Sequence, residues 1–203
     1  MDAFLTGVLA GYGIAIPVGA IAVLIVDVGI RCGFRCAFSA GAGAATADFL
    51  YAGLAVSGGA VLASRIASVE TLLQIASAIV LVIIAVHGLR RVGRCAEAAA
   101  VPLPSPKELA RTYARFVGLT IINPTTIVYF AAVIIGLGVA SGMTRQQGIL
   151  FVTGAFLASL SWQTLLAAIG ALAGSRLPPQ AQSAAIVAGN LVIIAFAVVI
   201  LIA

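Results

Sequence analysis

Charge is the scarcest commodity in this sequence. Only 8% of its 203 residues are Asp, Glu, Lys or Arg, against 63% hydrophobic residues, and the mean hydropathy is +1.21. So little polar surface cannot cover a soluble globule of this length. Chemistry-bearing residues are equally sparse, with one His, one Trp and three Cys. No Walker loop, GxSxG elbow, HExxH pair or Rossmann fingerprint occurs, so neither ATP-driven transport nor hydrolysis has support in the chain, and an enzyme is not expected. The apolar runs also lack the alternation of barrel strands, which leaves helices as the spanning element. The opening Met1-Asp2 provides no basic region of a signal peptide, and the apolar stretch behind it outlasts a signal core, so the first segment is expected to be a retained helix.

What is present is an all-α integral membrane protein of six expected spans: Phe4 to Ile30, Ala37 to Ser64, Val69 to Leu89, Tyr113 to Val139, Gly148 to Leu172, and Ala184 to Ala203. The connection Arg90 to Thr112, with Pro102, Pro104 and Pro106, reads as an exposed linker. One polytopic domain follows, with repeat one at 1–91, a cytoplasmic linker at 92–111 and repeat two at 112–203. Nine of the eleven Lys and Arg residues fall in or beside the first, third and fifth connections, and two, Arg65 and Arg145, in the others. This bias places those three connections in the cytoplasm and both termini outside, in a cytoplasmic membrane. The net charge of +5 is thereby accounted for by topology and lipid headgroups, with no nucleic acid implied.

Each half has three spans, so the halves enter the membrane in opposite directions. Both carry a proline near the centre of their first helix, Ile16-Pro17-Val18-Gly19 and Ile122-Asn123-Pro124-Thr125, where a backbone hydrogen bond is lost and the helix is expected to break. Aligning the halves sets Gly41 to Phe49 against Gly154 to Trp162, with Asp48 corresponding to Ser161. Interrupted helices at matching positions of inverted repeats suit a secondary transporter with a midplane site; packing kinks are the plainer reading. Asp48 is the residue to explain, because a charged side chain at that depth costs ~2.5–3.5 kcal/mol on insertion scales. It is either functional or a protonated, hydrogen-bonded packing residue. Asn123, Thr125, Thr126, Tyr129, Ser159, Ser161, Trp162 and Gln163 fall at similar depth and offer hydrogen bonds and stacking. Freed amides and carbonyls at the breaks would suit a zwitterion.

Small residues recur four apart, as Gly7 and Gly11, Gly29 and Gly33, Gly43 and Ala47, Gly154 and Ala158, and Gly170 and Gly174, a spacing that serves a tight bundle or a homodimer. Asp27 and Arg31, one turn apart at the cytoplasmic end of the first span, form an interfacial ion pair or part of a gate. His87 reads as interfacial, Arg65 with Glu70 as a solvated pair, and Gln74 and Asn190 as interhelical hydrogen-bonding residues. Cys32, Cys36 and Cys95 fall on the cytoplasmic side, where thiols stay reduced; Cys32 and Cys36 would share a helix face, and no tight motif makes them a metal site. No cofactor is called for.

Ile16-Pro17-Val18-Gly19, Val28-Gly29-Ile30-Arg31, Ala47-Asp48 and Asn123-Pro124 together resemble the lysine exporter (LysE/RhtB type) family of amino-acid efflux proteins, over essentially the whole chain. The resemblance implies six spans, export of amino acids or related small solutes, and coupling to an ion gradient such as protons. It also implies that Asp48 matches the family's intramembrane aspartate, and Pro17, Gly19, Asn123 and Pro124 its two helix breaks; Tyr129, Ser161 and Trp162 complete the expected site. Two departures stand out. Ala20 replaces a second proline of the first motif, and Val128-Tyr129-Phe130 lacks the carboxylate found after Asn-Pro in exporters of basic amino acids, which weakens the case for a dibasic substrate. The alternatives are a heavy-metal exporter of the same superfamily, a membrane thiol–disulfide electron carrier and a structural assembly protein.

Overall fold

The computed structural model describes residues 2–16, 19–67, 70–90, 103–123, 126, 129–130 and 143–202. Seven helices and no strand occur among them: α1 Ala3–Ala15, α2 Ala20–Cys32, α3 Phe34–Ala67, α4 Glu70–Arg90, α5 Pro106–Ile121, α6 Arg145–Arg176 and α7 Pro179–Ile202. Pro17, Pro124, Thr125, Cys95 and the second half of the fourth expected span lie outside the described residues, as do the side chains of Arg65, Glu70 and Gln74.

The first expected span is two helices. α1 and α2 meet at 76°, and together they are apolar enough to cross a membrane, as are α6 and α7 each alone. The fourth is interrupted too, since α5 ends with Ile122 as its C-cap before helix resumes at Thr126. Tyr51 of α3 donates its hydroxyl hydrogen to the Ile121 carbonyl at 2.5 Å, giving a partner to one of the oxygens that a helix end leaves open.

Two starts and one corner depart from the expected boundaries, each for a local reason. α5 begins at Pro106, inside the expected linker, because Ser105 and Glu108 form a capping box and proline is well placed in a first turn. The hydrogen bonds from Ser105 also hold the Glu108 carboxyl below the usual carboxylate range. A second box, Thr144 with Gln147, opens α6. Between α2 and α3 the chain turns at Gly33, whose φ of 80° and ψ of −176° are open essentially to glycine alone. That corner separates Cys32 from Cys36, so they do not share a helix face. Their sulfur atoms nonetheless face one another across it, with Cα atoms 5.8 Å apart.

α6 is the central post: α1, α2 and α3 all pack on it, α5 packs on α3, and α4 pairs with α7. The approach is close because glycines face backbone. A methyl group added at Gly7, Gly11, Gly29 or Gly174 would come to 2.8 Å or less from main-chain atoms of the facing helix. Lipid gives apolar helices no reason to associate beyond packing and hydrogen bonding, so these contacts decide how tightly the bundle closes. Gly7, Gly11 and Gly154 serve the α1–α6 seam, and Gly29, Gly170 and Gly174 the α2–α6 seam, so these stripes are used within the chain.

Two apolar clusters result, one around Ile25, Phe116 and Ile193, the other around Phe151 and Phe130. Along α3, Ala44 belongs to the first and Ala52 to the second, with Asp48 between them. α5 follows the same order, with Leu119 before Thr120, and α6 runs it in reverse, with Ser159 and Gln163 between Ala155 of the second cluster and Leu166 of the first. A polar layer thus lies between two apolar ones.

If the seams set the bundle, Gly154→Val should lower the melting temperature in detergent, by the equivalent of ~1–3 kcal/mol or more, because a packed backbone cannot yield. Gly53→Ala, which meets nothing within 4 Å, should leave it unchanged or slightly raised. Equal melting temperatures for Gly154→Val and the parent protein would discard the seam argument.

Candidate functional site

The polar layer encloses a cavity of about 140 Å³, lined by Asp48 of α3, Thr120 and Asn123 at the end of α5, Thr126 and Tyr129 beyond it, Gln163 of α6 and the start of α2. Asp48 is 5% exposed, and its Oδ2 accepts a 2.6 Å hydrogen bond from the Ser159 hydroxyl of α6, itself fully buried. One hydroxyl donor is a short allowance for a buried carboxylate, which has about four acceptor positions. Phe196 and Ile200 of α7 supply an apolar wall.

Two features give the cavity recognition chemistry. Thr120 Oγ1 and Gln163 Oε1 are buried with no hydrogen-bond partner among the described residues, and both side chains line the cavity. Such atoms are uncommon, since an unmet buried polar group costs ~1–3 kcal/mol. The second feature is the N-terminus of α2. Its N-cap is Gly19, which has no side chain to cap it, and Gly19, Ala20, Ile21 and Ala22 all border the cavity. The first amides of a helix have no partner inside it, so this end offers N–H groups and the positive pole of the dipole.

Of the residues expected at the site, Asp48, Gly19, Asn123 and Tyr129 are brought together; Pro17 and Pro124 lie outside the described residues. Ser161 and Trp162 do not line the cavity. Ser161 donates to the Ala158 carbonyl at 2.8 Å and accepts from the Tyr12 hydroxyl at 2.8 Å, while Trp162 packs against the first apolar cluster. The reason is helical phase: Ser159 and Gln163 are four apart and share a face, from which Ser161 and Trp162 are rotated away. Thr120 was missed because it sits in an apolar run; its position three residues, about one turn, before Asn123 and next to the break was the available signal.

Asp27 and Arg31 stand elsewhere, as an ion pair of 2.9 Å on α2, with Arg31 Nη2 also donating to the Gly88 carbonyl of α4 at 3.2 Å. His87 is exposed at the end of α4, and Asn190 of α7 is fully buried, donating to the Ile186 carbonyl at 2.7 Å within its own helix.

The family model described as LysE type translocator matches residues 13–203. No curated protein and no solved structure matches the chain. The match spans both helix breaks, Asp48 and the whole cavity, and members of this family are transporters, not enzymes. With nearly the full length matched, and with a helical bundle built to cross a membrane, the chain belongs to the LysE type translocator family, whose members are membrane exporters of small solutes.

Proposed function

We propose that this chain exports an amino acid, or a solute of the same zwitterionic kind, from the cytoplasm by ion-coupled alternating access, with the central cavity as its binding site. One observation carries the reading: a buried carboxylate shares one partly sheltered cavity with an uncapped helix N-terminus and two polar atoms that lack partners among the described residues. The α2 amides suit a carboxylate, while Asp48 and Gln163 Oε1 suit an ammonium group, so the two ends of a zwitterion find opposite partners. At about 140 Å³ the cavity is smaller than the ~300–1,000 Å³ of drug-sized sites, which favours a small solute. Asp48 is the group whose protonation would link solute movement to a proton gradient.

Inverted repeats are supported by the packing. Tyr12 of α1 bonds Ser161 of α6, and Tyr113 of α5 bonds Thr46 of α3 at 2.9 Å. In each case the first helix of one half is tied to the second helix of the other. The positive-inside bias supports a cytoplasmic membrane with both termini outside. The small-residue stripes used within the chain no longer argue for a homodimer. A heavy-metal substrate is disfavoured, since among the described residues no group of three His, Cys, Asp or Glu could hold an ion. Electron transfer is disfavoured because Cys32 and Cys36 sit at the α2–α3 corner and not on the cavity wall.

Asp48→Asn should insert normally yet lose uphill export in proteoliposomes, since the amide keeps the shape without changing charge. Wild-type rates from that variant would remove Asp48 from the mechanism.

Thr120→Val and Gln163→Leu should move two readouts in opposite directions. Each deletes a buried atom that lacks a partner, so melting temperature should hold or rise, while the apparent substrate constant in counterflow of labelled amino acids rises about tenfold per lost hydrogen bond. A fall in stability with unchanged transport would make both residues packing elements.

A further inference from the structure

A second cavity, also of about 140 Å³, lies at the other end of α2. Asp27 and Arg31 of α2 meet Arg115 of α5 there, beside Gly88 of α4 and Asn190 of α7. Two guanidinium groups and one carboxylate therefore line it, with His87 beside them. Arg31 is fixed in place, with Nε 2.9 and 3.0 Å from the Asp27 oxygens and Nη2 on the Gly88 carbonyl. Asn190 donates its amide hydrogen to Ile186, and its side-chain oxygen lies against Gly88, where any side chain would collide with it. Basic donors and neutral or acidic acceptors therefore share one small, partly sheltered space.

The two cavities lie on one seam. A void of about 10 Å³, room for at most one water, shares Ile21 and Asn123 with the central cavity and Leu119 with the second. The seam between α2 and α5 is closed at that level by Ile21, Leu81 and Leu119, all buried. An ion cannot cross such a plug while it is shut, so a charged solute arriving from the Arg115 end must wait below it.

We propose that this second cavity is a loading site, which takes the carboxylate of the transported solute on Arg115 and Arg31 before the Ile21–Leu119 plug opens toward Asp48. The solute's identity rests on the export reading; the carboxylate site itself does not. Guanidinium groups suit a carboxylate because their planar fork matches its two oxygens, and Asp27 and the Asn190 carbonyl provide acceptors for an ammonium group nearby. A lipid phosphate would use the same donors without needing the acceptors or the seam.

The test uses the full chain carrying Cys32→Ser, Cys36→Ser and Cys95→Ser, with Val28→Cys as a reporter thiol on the wall of the second cavity. Acetate, a minimal carboxylate, should slow N-ethylmaleimide labelling saturably, and methylammonium should not. Arg115→Gln should abolish the protection while keeping the unprotected labelling rate, which reports an intact fold, and Arg115→Lys should restore part of it. In counterflow, Arg115→Gln should raise KM about tenfold with little change in Vmax. The proposal is overturned if acetate gives no protection, if methylammonium protects equally, or if only phosphatidylglycerol vesicles protect, which would make the cavity a headgroup seat. A Vmax loss at constant KM would remove the loading role. Should no amino acid counterflow while acetate still protects, the export reading falls and the carboxylate site stands.

Discussion

The hydrogen bond between Ser159 and Asp48 is the contact the rest of the structure must accommodate. A carboxylate in the middle of an apolar bundle is tolerable only where neighbouring helices bring polar partners and a sheltered cavity to it. That demands two things at once: helices close enough to seal the layer above and below, and breaks that open backbone groups within it. Glycine answers the first demand. Gly7, Gly11 and Gly154 lock α1 to α6, Gly29, Gly170 and Gly174 lock α2 to the same helix, and α3 approaches both α5 and α6 through Gly43 and Gly41. The breaks answer the second, one between α1 and α2, the other after α5, where Tyr51 takes up the Ile121 carbonyl.

Much of this was legible in the sequence because each feature violates a local rule. An acid in an apolar span, prolines in apolar helices and glycines four apart are conspicuous, and they led to Asp48, to both breaks and to the close seams. What failed was phase and punctuation. Depth along α6 put Ser161 and Trp162 in the site, but a helix of 3.6 residues per turn aims them away from Ser159 and Gln163. A repeat alignment gives level, never direction. Proline density suggested an exposed linker up to Thr112, yet Ser105-Pro106-Lys107-Glu108 is a helix start, with a capping residue, a proline in the first turn and a glutamate at the third position. Lys107, Glu108 and Arg111 are exposed because this first part of α5 is a polar approach to the bundle, not part of the span.

The corner at Gly33 was illegible for a different reason. Glycine at that spacing has two uses, packing and turning, and Gly29 and Gly33 take one each: Gly29 lies against Gly170, whereas Gly33 faces open space with a positive φ. Pattern alone does not separate the two, since the distinction rests on what approaches the residue in three dimensions. The same corner undid the shared face expected of Cys32 and Cys36.

On the export reading, the unmet groups of the polar layer have a mechanistic use. Thr120 Oγ1 and Gln163 Oε1, which lack partners among the described residues, cost the polar layer ~1–3 kcal/mol each until some group meets them. A solute that supplies those hydrogen bonds recovers this energy only in the conformation where α2, α5 and α6 surround it. Its binding therefore favours the closed arrangement by its differential affinity, and a ligand can shift an equilibrium by no more than that. A cavity with every polar atom already paired would bind weakly and shift nothing. The glycine seams bear on the same point, because helices already packed backbone to backbone at Gly7, Gly11 and Gly29 have little room to shift toward the unmet groups.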